Sequence, residues 1–296
     1  MTTRSYLQLP INADEGFPQA FRLSFLGNTY QIDEGCRARY LAHLANYAYH
    51  LNSAVSHVDE LRTQLQQMHL ELAANPGNPF HDLPSGHHGY MAVAADHAII
   101  AIRGSGEPDD WRNNLQFWQA TSALGGHVHA GFATAAQGIT RAILAEIQRA
   151  PALYHNKAFW LTGHSSGGSV AILVAQELAA LHLDVAGIYT FGAPKVGDAI
   201  YARAYPLRDK VYAFATLGDI VPLLPPAWLA RTGRHFQLQR YTQITHPQLL
   251  VGKTVHVRAA LTYLKDEHGG MLAKIIGALI TFSPHSLAAA YIPNLK

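Results

Sequence analysis

The chain has 296 residues, of which 49% are hydrophobic, so it is long enough to bury a large core. Its 22 basic and 20 acidic residues give a net charge of only +2, which offers no argument for nucleic-acid binding. Cys36 is the single cysteine, which excludes an intrachain disulfide. Because no repeat, low-complexity tract or linker divides the chain, we expect residues 1–296 to form one domain.

The hydropathy pattern shows neither a leader nor a membrane span. Residues 1–16 lack the basic start and the apolar stretch of a secretory signal peptide. No window reaches the roughly 18 uninterrupted apolar residues that a membrane-spanning helix needs. We therefore expect a soluble protein without stable membrane insertion, either cytoplasmic or exported by a route that uses no signal peptide.

The first third of the chain predicts helices followed by a hairpin. Residues 36–51 and 58–72 have helical patterns, and residues 75–89 form a predicted loop of Pro, Gly, Asn and His. Apolar runs at 90–93 and 98–102 flank a turn and predict two strands of a hairpin.

Strands and helices then alternate along the chain. Strands are predicted at 159–162, 186–191 and 211–216, and helices at 131–150, 169–181 and 198–205. This alternation predicts a mostly parallel sheet with helices on both faces, which is an α/β fold. Active sites in such sheets lie at the carboxyl ends of the strands.

The most informative motif is Gly163-His164-Ser165-Ser166-Gly167, which lies between a predicted strand and a predicted helix. A serine on a sharp strand-to-helix turn exposes its hydroxyl, and flanking glycines avoid steric clashes. The N-terminus of the following helix points N–H groups at a developing oxyanion. The motif therefore predicts a nucleophile elbow with Ser165 as the nucleophile.

A serine nucleophile needs a base and an orienting acid, and in this architecture both follow it in the chain. Asp184 precedes its strand and so falls at the wrong edge of the sheet, and Asp198 suits the N-cap of a helix. Asp219 comes directly after the predicted strand 211–216, at the correct edge. Several histidines follow Asp219, and spacing favours His285, which follows Pro284 in a predicted loop, without excluding the others: His235, His246, His256 and His268.

Six ordered sequence blocks resemble the class 3 lipases, which are α/β-hydrolases related to the fungal secreted triacylglycerol lipases. The resemblance covers roughly residues 90 to 240, and the tail around His285, Leu287 and Tyr291 resembles the terminal histidine segment of the family. Singly each block is modest, and together they are specific: residues 101–105, 110–115, 128–132, 161–168, 190–197 and 218–222.

The resemblance implies a role for each site residue. Ser165 is the nucleophile, Asp219 the orienting acid and His285 the base. Ser105 matches the first oxyanion residue of the family, and Ser166 supplies the second backbone N–H. Two such donors are what acyl transfer needs, each contributing on the order of 3 kcal/mol to lowering the barrier.

The stretch after Ser105, residues 106–118, corresponds to the lid of the family, a short helix that uncovers the site at a lipid surface. Trp111, Leu115 and Trp118 recur at helical spacing and form one apolar face of it. Packing in the core is the alternative explanation for these side chains.

The chain departs from the family pattern in two places. The residue after the nucleophile is Ser166, where leucine is more usual. Residues 246–284 align with nothing in the family, and their apolar stripe at 271–280 predicts either a helix packed in the core or one that touches lipid.

We therefore expect a lipid-ester hydrolase that needs no cofactor and no metal. Histidines cluster at 81–88 and at 127–129, but nothing indicates that they converge, so we predict solvated loop histidines. The expected partner is a lipid ester at a lipid–water interface. The alternatives are a phospholipase of the same mechanism, such as an antibacterial effector neutralised by an immunity protein, and a non-catalytic binding module on a hydrolase scaffold.

Overall fold

The computed structural model describes residues 34–51, 55–73, 80–82, 87–104, 118–216, 219–225, 230–232, 235–237, 241–250 and 285–295. The prediction of one domain over residues 1–296 extends beyond this part of the chain and stays a prediction. Within this part, no helix combines the length and the apolar character needed to cross a membrane.

Helices and strands alternate through the described chain. The helices are α1 (Glu34–Tyr47), α2 (Val55–Gln67), α3 (Ala130–Arg149), α4 (Pro151–Tyr154), α5 (Ser166–Ala180) and α6 (Ala199–Ala204). The strands are β1 (Glu71–Leu72), β2 (Phe80–Asp82), β3 (His87–Val93), β4 (His97–Ile102), β5 (Gln119–Thr121), β6 (His127–His129), β7 (Ala158–His164), β8 (Val185–Phe191), β9 (Val211–Thr216), β10 (Ala230–Thr232), β11 (His235–Gln237) and β12 (Gln248–Leu250). Short helical turns lie at Ala48–His50, Arg208–Lys210, Val221–Leu223, Leu287–Tyr291 and Ile292–Asn294.

One mixed sheet organises the molecule, in the order β1-β3-β4-β7-β8-β9-β12 with β2 also paired to β3. Strands β4, β7, β8, β9 and β12 run parallel, whereas β3 is antiparallel to β4. The carboxyl ends of the parallel strands meet at one edge, and the loops after β7, β8 and β9 leave the sheet there. Two small antiparallel pairs, β5–β6 and β10–β11, lie outside this sheet.

The sheet buries apolar side chains on both faces. Alternate residues of β4 point to opposite sides, so Ile100 and Ile102 pack in one cluster while Ile99 and Ala101 pack in another. The first cluster includes side chains of α3 and α5, and the second includes those of α1 and α2 and of the C-terminal turns. Burial on both faces explains why the central strands are continuously apolar rather than alternating.

Most predicted elements agree with these bounds to within a few residues, and the predicted hairpin is the pair β3–β4. The predicted helix 58–72 is wrong at its end, since α2 ends at Gln67 and β1 occupies Glu71–Leu72. The predicted loop 75–89 is wrong in part, since β2 and the start of β3 lie within it. The segment from residue 246 begins with β12, which extends the sheet beside β9. The apolar stripe at 271–280 lies outside the described residues, as do His256 and His268.

Burial of neutral histidines predicts that the fold loses stability in acid. Burial, with a smaller contribution from Arg39, lowers the pKa of His43 to about 4. Burial also lowers the pKa of His97 and holds that of His164 well below its ordinary value. Below about pH 6.5 the unfolded chain takes up protons that these folded side chains do not, so the free energy of unfolding should fall as the pH drops, by up to about 1.4 kcal/mol per pH unit for His43.

Urea unfolding at pH 7.5, 6 and 5 measures this slope. His43→Gln should reduce it, whereas His155→Gln should not, because His155 is exposed. A free energy of unfolding that stays constant from pH 7.5 to pH 5 would contradict the prediction.

Candidate active site

Ser165 occupies a strained turn between β7 and α5. Its backbone has φ 57° and ψ −137°, a region that residues with a side chain rarely adopt. The strain is held from both sides, because the N–H of Ser165 donates to the carbonyl of Phe191 at 2.9 Å and the N–H of Gly168 donates to the carbonyl of Ser165 at 3.0 Å. Within the described part of the chain, the buried hydroxyl of Ser165 has no hydrogen-bond partner.

The glycines of the motif allow α5 to begin in contact with the sheet. A Cβ atom on Gly163 would lie 2.4 Å from the carbonyl oxygen of Gly167. A Cβ atom on Gly167 would lie 2.4 Å from the carbonyl oxygen of Ile102 in β4. No other residue fits this close approach of helix and strand, so the predicted nucleophile elbow is confirmed at Ser165.

Asp219 and His285, which are far apart in sequence, form a buried pair at the same edge. The Nδ1 of His285 donates to Oδ2 of Asp219 at 2.8 Å, and the Asp219 side chain has no exposed surface. Asp219 follows β9, and its Oδ1 accepts from the backbone N–H of Val221 at 2.9 Å. Because the carboxylate accepts a hydrogen bond from Nδ1, we assign the hydrogen of a neutral His285 to Nδ1 and the lone pair to Nε2.

Tyr291 is a third donor to this carboxylate. Its hydroxyl donates to Oδ2 of Asp219 at 2.5 Å. Burial raises the pKa of Tyr291 well above its ordinary value, and the adjacent Asp219 carboxylate raises it further. The hydroxyl therefore keeps its proton and remains a donor. In the sequence, Tyr291 is recognisable only as part of the tail that resembles the family.

Gly192 connects the elbow to the acid–base pair. It follows Phe191, whose carbonyl holds Ser165, and it has φ +61°. A Cβ atom at Gly192 would lie 2.8 Å from Oδ2 of Asp219 and 2.9 Å from Cε1 of His285. The three predicted residues of the triad are thus brought to two sides of the same short backbone segment.

Of the two predicted oxyanion residues, the structure describes Ser166 but not Ser105. Ser105 lies outside the described residues, but the residue before it, Gly104, is so close that its Cβ atom would lie 2.9 Å from Cβ of Ser165. Ser166 is the first residue of α5, and its Oγ lies 3.2 Å from Nε2 of His87. His87 is buried in β3, so the prediction of a solvated loop histidine is wrong for it.

The remaining candidates from the sequence lie elsewhere. Asp198 caps α6 by accepting from the N–H of Ile200 and of Tyr201, as its N-cap prediction requires. Asp184 is exposed and precedes β8, at the opposite edge. Trp118 is 41% exposed beside β5, whereas Trp111 and Leu115 lie outside the described residues.

The two histidines of the second cluster, His127 and His129, have structural partners, and because His129 is buried the prediction of a solvated loop histidine is wrong for it as well. His127 contacts Asp198 through Nδ1 at 3.0 Å, and Nδ1 of His129 accepts from the N–H of Phe132 at the start of α3. Among the residues that the structure describes, no three His, Cys, Asp or Glu side chains are grouped so as to hold a metal ion.

Comparison with known proteins agrees with this geometry. Residues 99–228 match the model of the family described as Lipase (class 3). That segment of the chain is similar to the class 3 lipases. The resemblance seen in the sequence blocks is thereby confirmed.

Several curated relatives share the segment. The chain is 34% identical over 141 residues to the Secreted mono- and diacylglycerol lipase 1 of Fusarium solani, covering 45% of this chain and 42% of that protein. It is 31% identical over 144 residues to Toxin TseL of Vibrio cholerae, covering 48% of this chain and 22% of that protein. It is 27% identical over 246 residues to Phospholipase A1 EG1 of Oryza sativa, covering 64% and 57%. The chain therefore spans less than two thirds of each of these relatives.

Solved structures confirm the fold. The nonglycosylated LIP2 lipase of Yarrowia lipolytica superposes with a TM-score of 0.59 at 22% identity, covering 75% of this chain and 82% of that one. The Rhizomucor miehei lipase propeptide complex superposes with a TM-score of 0.51 at 23% identity, covering 68% and 66%. The predicted α/β-hydrolase fold is thus confirmed.

The contact between Gly192 and the acid–base pair predicts that Gly192→Ala damages the site. The added methyl group would contact Asp219, His285 and Tyr291. A residue with a side chain in this left-handed backbone conformation costs about 1–2 kcal/mol more. Gly125→Ala is a matched control, because Gly125 has φ +86° but its Cβ would meet only Ile200, at 3.9 Å. In urea unfolding, Gly192→Ala should lower the free energy of unfolding by roughly 1–3 kcal/mol more than Gly125→Ala does. Equal losses would mean that the backbone conformation, and not the contact with the site, matters at Gly192.

Proposed function

We propose that the protein is a serine hydrolase that cleaves carboxylic ester bonds of lipids. Ser165 is the nucleophile, His285 the base and Asp219 the acid that orients it. The observation that carries the proposal is the buried Asp219–His285 pair, which the Phe191–Gly192 segment connects to a serine on a strained elbow. A strained, buried hydroxyl and an imidazole oriented by a carboxylate are the groups that acyl transfer requires.

The reaction proceeds through an acyl-enzyme. The Oγ of Ser165 bonds to the acyl carbonyl carbon while Nε2 of His285 takes its proton. The carbonyl oxygen becomes an oxyanion, which accepts from the backbone N–H groups of Ser105 and Ser166. The C–O bond then breaks, and His285 gives its proton to the leaving alcohol. Water deprotonated by His285 cleaves the acyl-enzyme in the same two stages and returns the proton to Ser165.

Each step uses a group already present in the chain. Asp219 holds the proton of His285 on Nδ1 and stabilises the imidazolium ion that forms. Three hydrogen bonds, from His285, Tyr291 and Val221, hold the Asp219 carboxylate in place for this role. The mechanism therefore needs no metal ion and no cofactor.

Two adjacent serines are near histidines, and the geometry favours Ser165. Ser166 lies in the first turn of α5, and its Oγ is 3.2 Å from Nε2 of His87, the first residue of β3. Of the two serines, Ser165 has the strained elbow backbone. Its N–H donates to the carbonyl of Phe191, and the next residue, Gly192, lies against Asp219 and His285. We assign Ser166 to the oxyanion site through its backbone N–H, since N–H groups in the first turn of a helix are not used by the helix itself.

The relatives support lipid esters as the substrate class. Those from Fusarium solani and Oryza sativa are named a mono- and diacylglycerol lipase and a phospholipase A1. The similarity to Toxin TseL favours, as a second candidate, a phospholipase that acts as an antibacterial effector. An immunity protein would be a partner only in that second case.

The segment 106–118 is proposed as a lid, on the sequence resemblance and on the exposed side chain of Trp118 at its end. Trp111, Leu115 and Trp118 would form the face that lies over the site in water and against lipid at an interface. Burying a side chain of this size contributes roughly 2 kcal/mol, which is similar to the free-energy differences between populated conformers.

The proposal predicts that Ser165→Ala loses several orders of magnitude in kcat on lipid esters while the protein stays folded. His285→Ala should be nearly as inactive, because the members of a triad act as a unit. Ser166→Ala is the matched control: it keeps the backbone N–H, so it should remain within about tenfold of wild type. Turnover should be measured on triacylglycerol, monoacylglycerol and phospholipid substrates, with circular dichroism as the check of folding.

An active, folded Ser165→Ala protein would overturn the assignment of the nucleophile. Inactivity of Ser166→Ala together with activity of Ser165→Ala would shift the nucleophile to Ser166 and the base to His87. Preference for phospholipid over neutral glycerides would select the second candidate function.

The lid predicts a substrate-dependent effect of Trp111→Ser. Activity on emulsified lipid should fall by about tenfold or more, whereas activity on short soluble esters should change little, because only the emulsion offers a surface to the apolar face. Equal losses on both substrates would show that Trp111 packs in the core or in the substrate pocket.

A further inference from the structure

His164, which immediately precedes the nucleophile, has both ring nitrogens occupied. Its Nε2 lies 2.7 Å from the backbone carbonyl oxygen of His285, and its Nδ1 lies 2.7 Å from the hydroxyl of Tyr49. A carbonyl oxygen only accepts, so Nε2 carries the hydrogen. Nδ1 of the neutral ring then accepts from the hydroxyl of Tyr49. The two contacts are compatible with a single tautomer and a single ring orientation.

This ring also stays neutral. His164 is fully enclosed, and burial holds the pKa of His164 well below its ordinary value, with the adjacent His285 lowering it further. The two imidazole rings have centroids 4.6 Å apart and are inclined by 35°. The ring of His164 is therefore packed against that of His285 as a neutral group.

The hydrogen bond to His285 joins two parts of the site that are distant in the chain. His164 is bonded covalently to Ser165 and by a hydrogen bond to the backbone of His285, 121 positions away. The relative position of the nucleophile and of the base therefore depends on the side chain of His164. A displacement of about 1 Å between reacting groups lowers rates by on the order of 10²-fold.

Tyr49 holds the other side of the ring from a different element. It lies in the short helical turn Ala48–His50 that follows α1, and the Arg103 guanidinium lies 5.7 Å from the centroid of its ring. A Cβ atom on Gly104 would lie 2.8 Å from the hydroxyl oxygen of Tyr49. The hydroxyl is thus packed beside the segment that leads to Ser105.

We propose that His164 is a positioning residue that sets the distance between Ser165 and His285, and that Tyr49 acts through it by selecting the tautomer with hydrogen on Nε2. The inference rests on the proposed function, because it takes Ser165 as the nucleophile and His285 as the base. Neither Tyr49 nor His164 touches the reacting atoms in this role.

The test measures how fast a fluorophosphonate probe labels Ser165, which reports activation of the serine whatever the natural ester is. His164→Met removes both hydrogen bonds at similar volume, and His164→Gln keeps an N–H at the same number of bonds from Cα as Nε2. We expect the limiting labelling rate of His164→Met to fall by on the order of 10²-fold with little change in the probe concentration at half-saturation. His164→Gln should recover most of that loss.

The double variant separates a relay from independent packing. Tyr49→Phe should lower the limiting rate by roughly 3- to 10-fold, the equivalent of one hydrogen bond, in the wild-type background. In the His164→Met background it should have no further effect, because the group through which it acts is gone. Tyr205→Phe is the control, since it removes a buried hydroxyl-to-carbonyl bond, to Ile172, outside the site. It should leave labelling unchanged.

Equal rates for His164→Gln and His164→Met, or an equal effect of Tyr49→Phe in both backgrounds, would overturn the proposal. If His164→Met does not fold, Tyr49→Phe in the wild-type and His164→Gln backgrounds decides the same question, because glutamine has no acceptor at the Nδ1 position. Failure of the proposed function is a different result: the probe would then not label the wild-type protein, or would still label Ser165→Ala.

Discussion

The buried carboxylate of Asp219 is the constraint on which the rest of the site depends. A buried charge is strongly destabilising unless hydrogen bonds replace its water, and here three donors do so from two separate segments. Val221 lies in the same loop as Asp219, whereas His285 and Tyr291 come from the C-terminal end of the described chain. Satisfying one carboxylate therefore attaches the C-terminal segment to the carboxyl edge of the sheet. The catalytic arrangement and the folding of this segment have the same physical cause.

The small residues around the edge make this arrangement possible. The elbow requires glycine where α5 meets β4 and β7, and Gly192 and Gly104 provide room on two other sides of the site. These positions let the backbone segments approach closely at the edge where His164 contacts His285. Proximity at this edge is thus achieved by the absence of side chains as much as by the presence of reactive ones.

Much of the fold and of the site could be predicted from the sequence, and the failures have physical reasons. Strand and helix periodicity predicted the central elements, and chain order placed Asp219 at the correct edge. The choice among five histidines needed the family resemblance, because chain order contains no information on which loop returns to the sheet. His87 was misread because a Pro-, Gly- and His-rich composition is typical of loops, whereas here it includes β2 and the start of β3. Tyr49 had no signal at all, since its role exists only where α1 packs across the sheet.

The contact between Ser166 and His87 explains how the fold accommodates a serine after the nucleophile, where leucine is more usual in the family. Serine in place of the more usual leucine leaves a smaller and polar side chain beside the elbow, at a position with almost no exposed surface. A buried hydroxyl requires a hydrogen-bond partner, and the first residue of β3 supplies an imidazole at 3.2 Å. Because each of the two side chains offers the other a hydrogen bond, their effects on stability are coupled and neither position can be interpreted alone. The backbone N–H of residue 166 does not depend on this exchange, so the side chain can change while the main-chain donor stays the same.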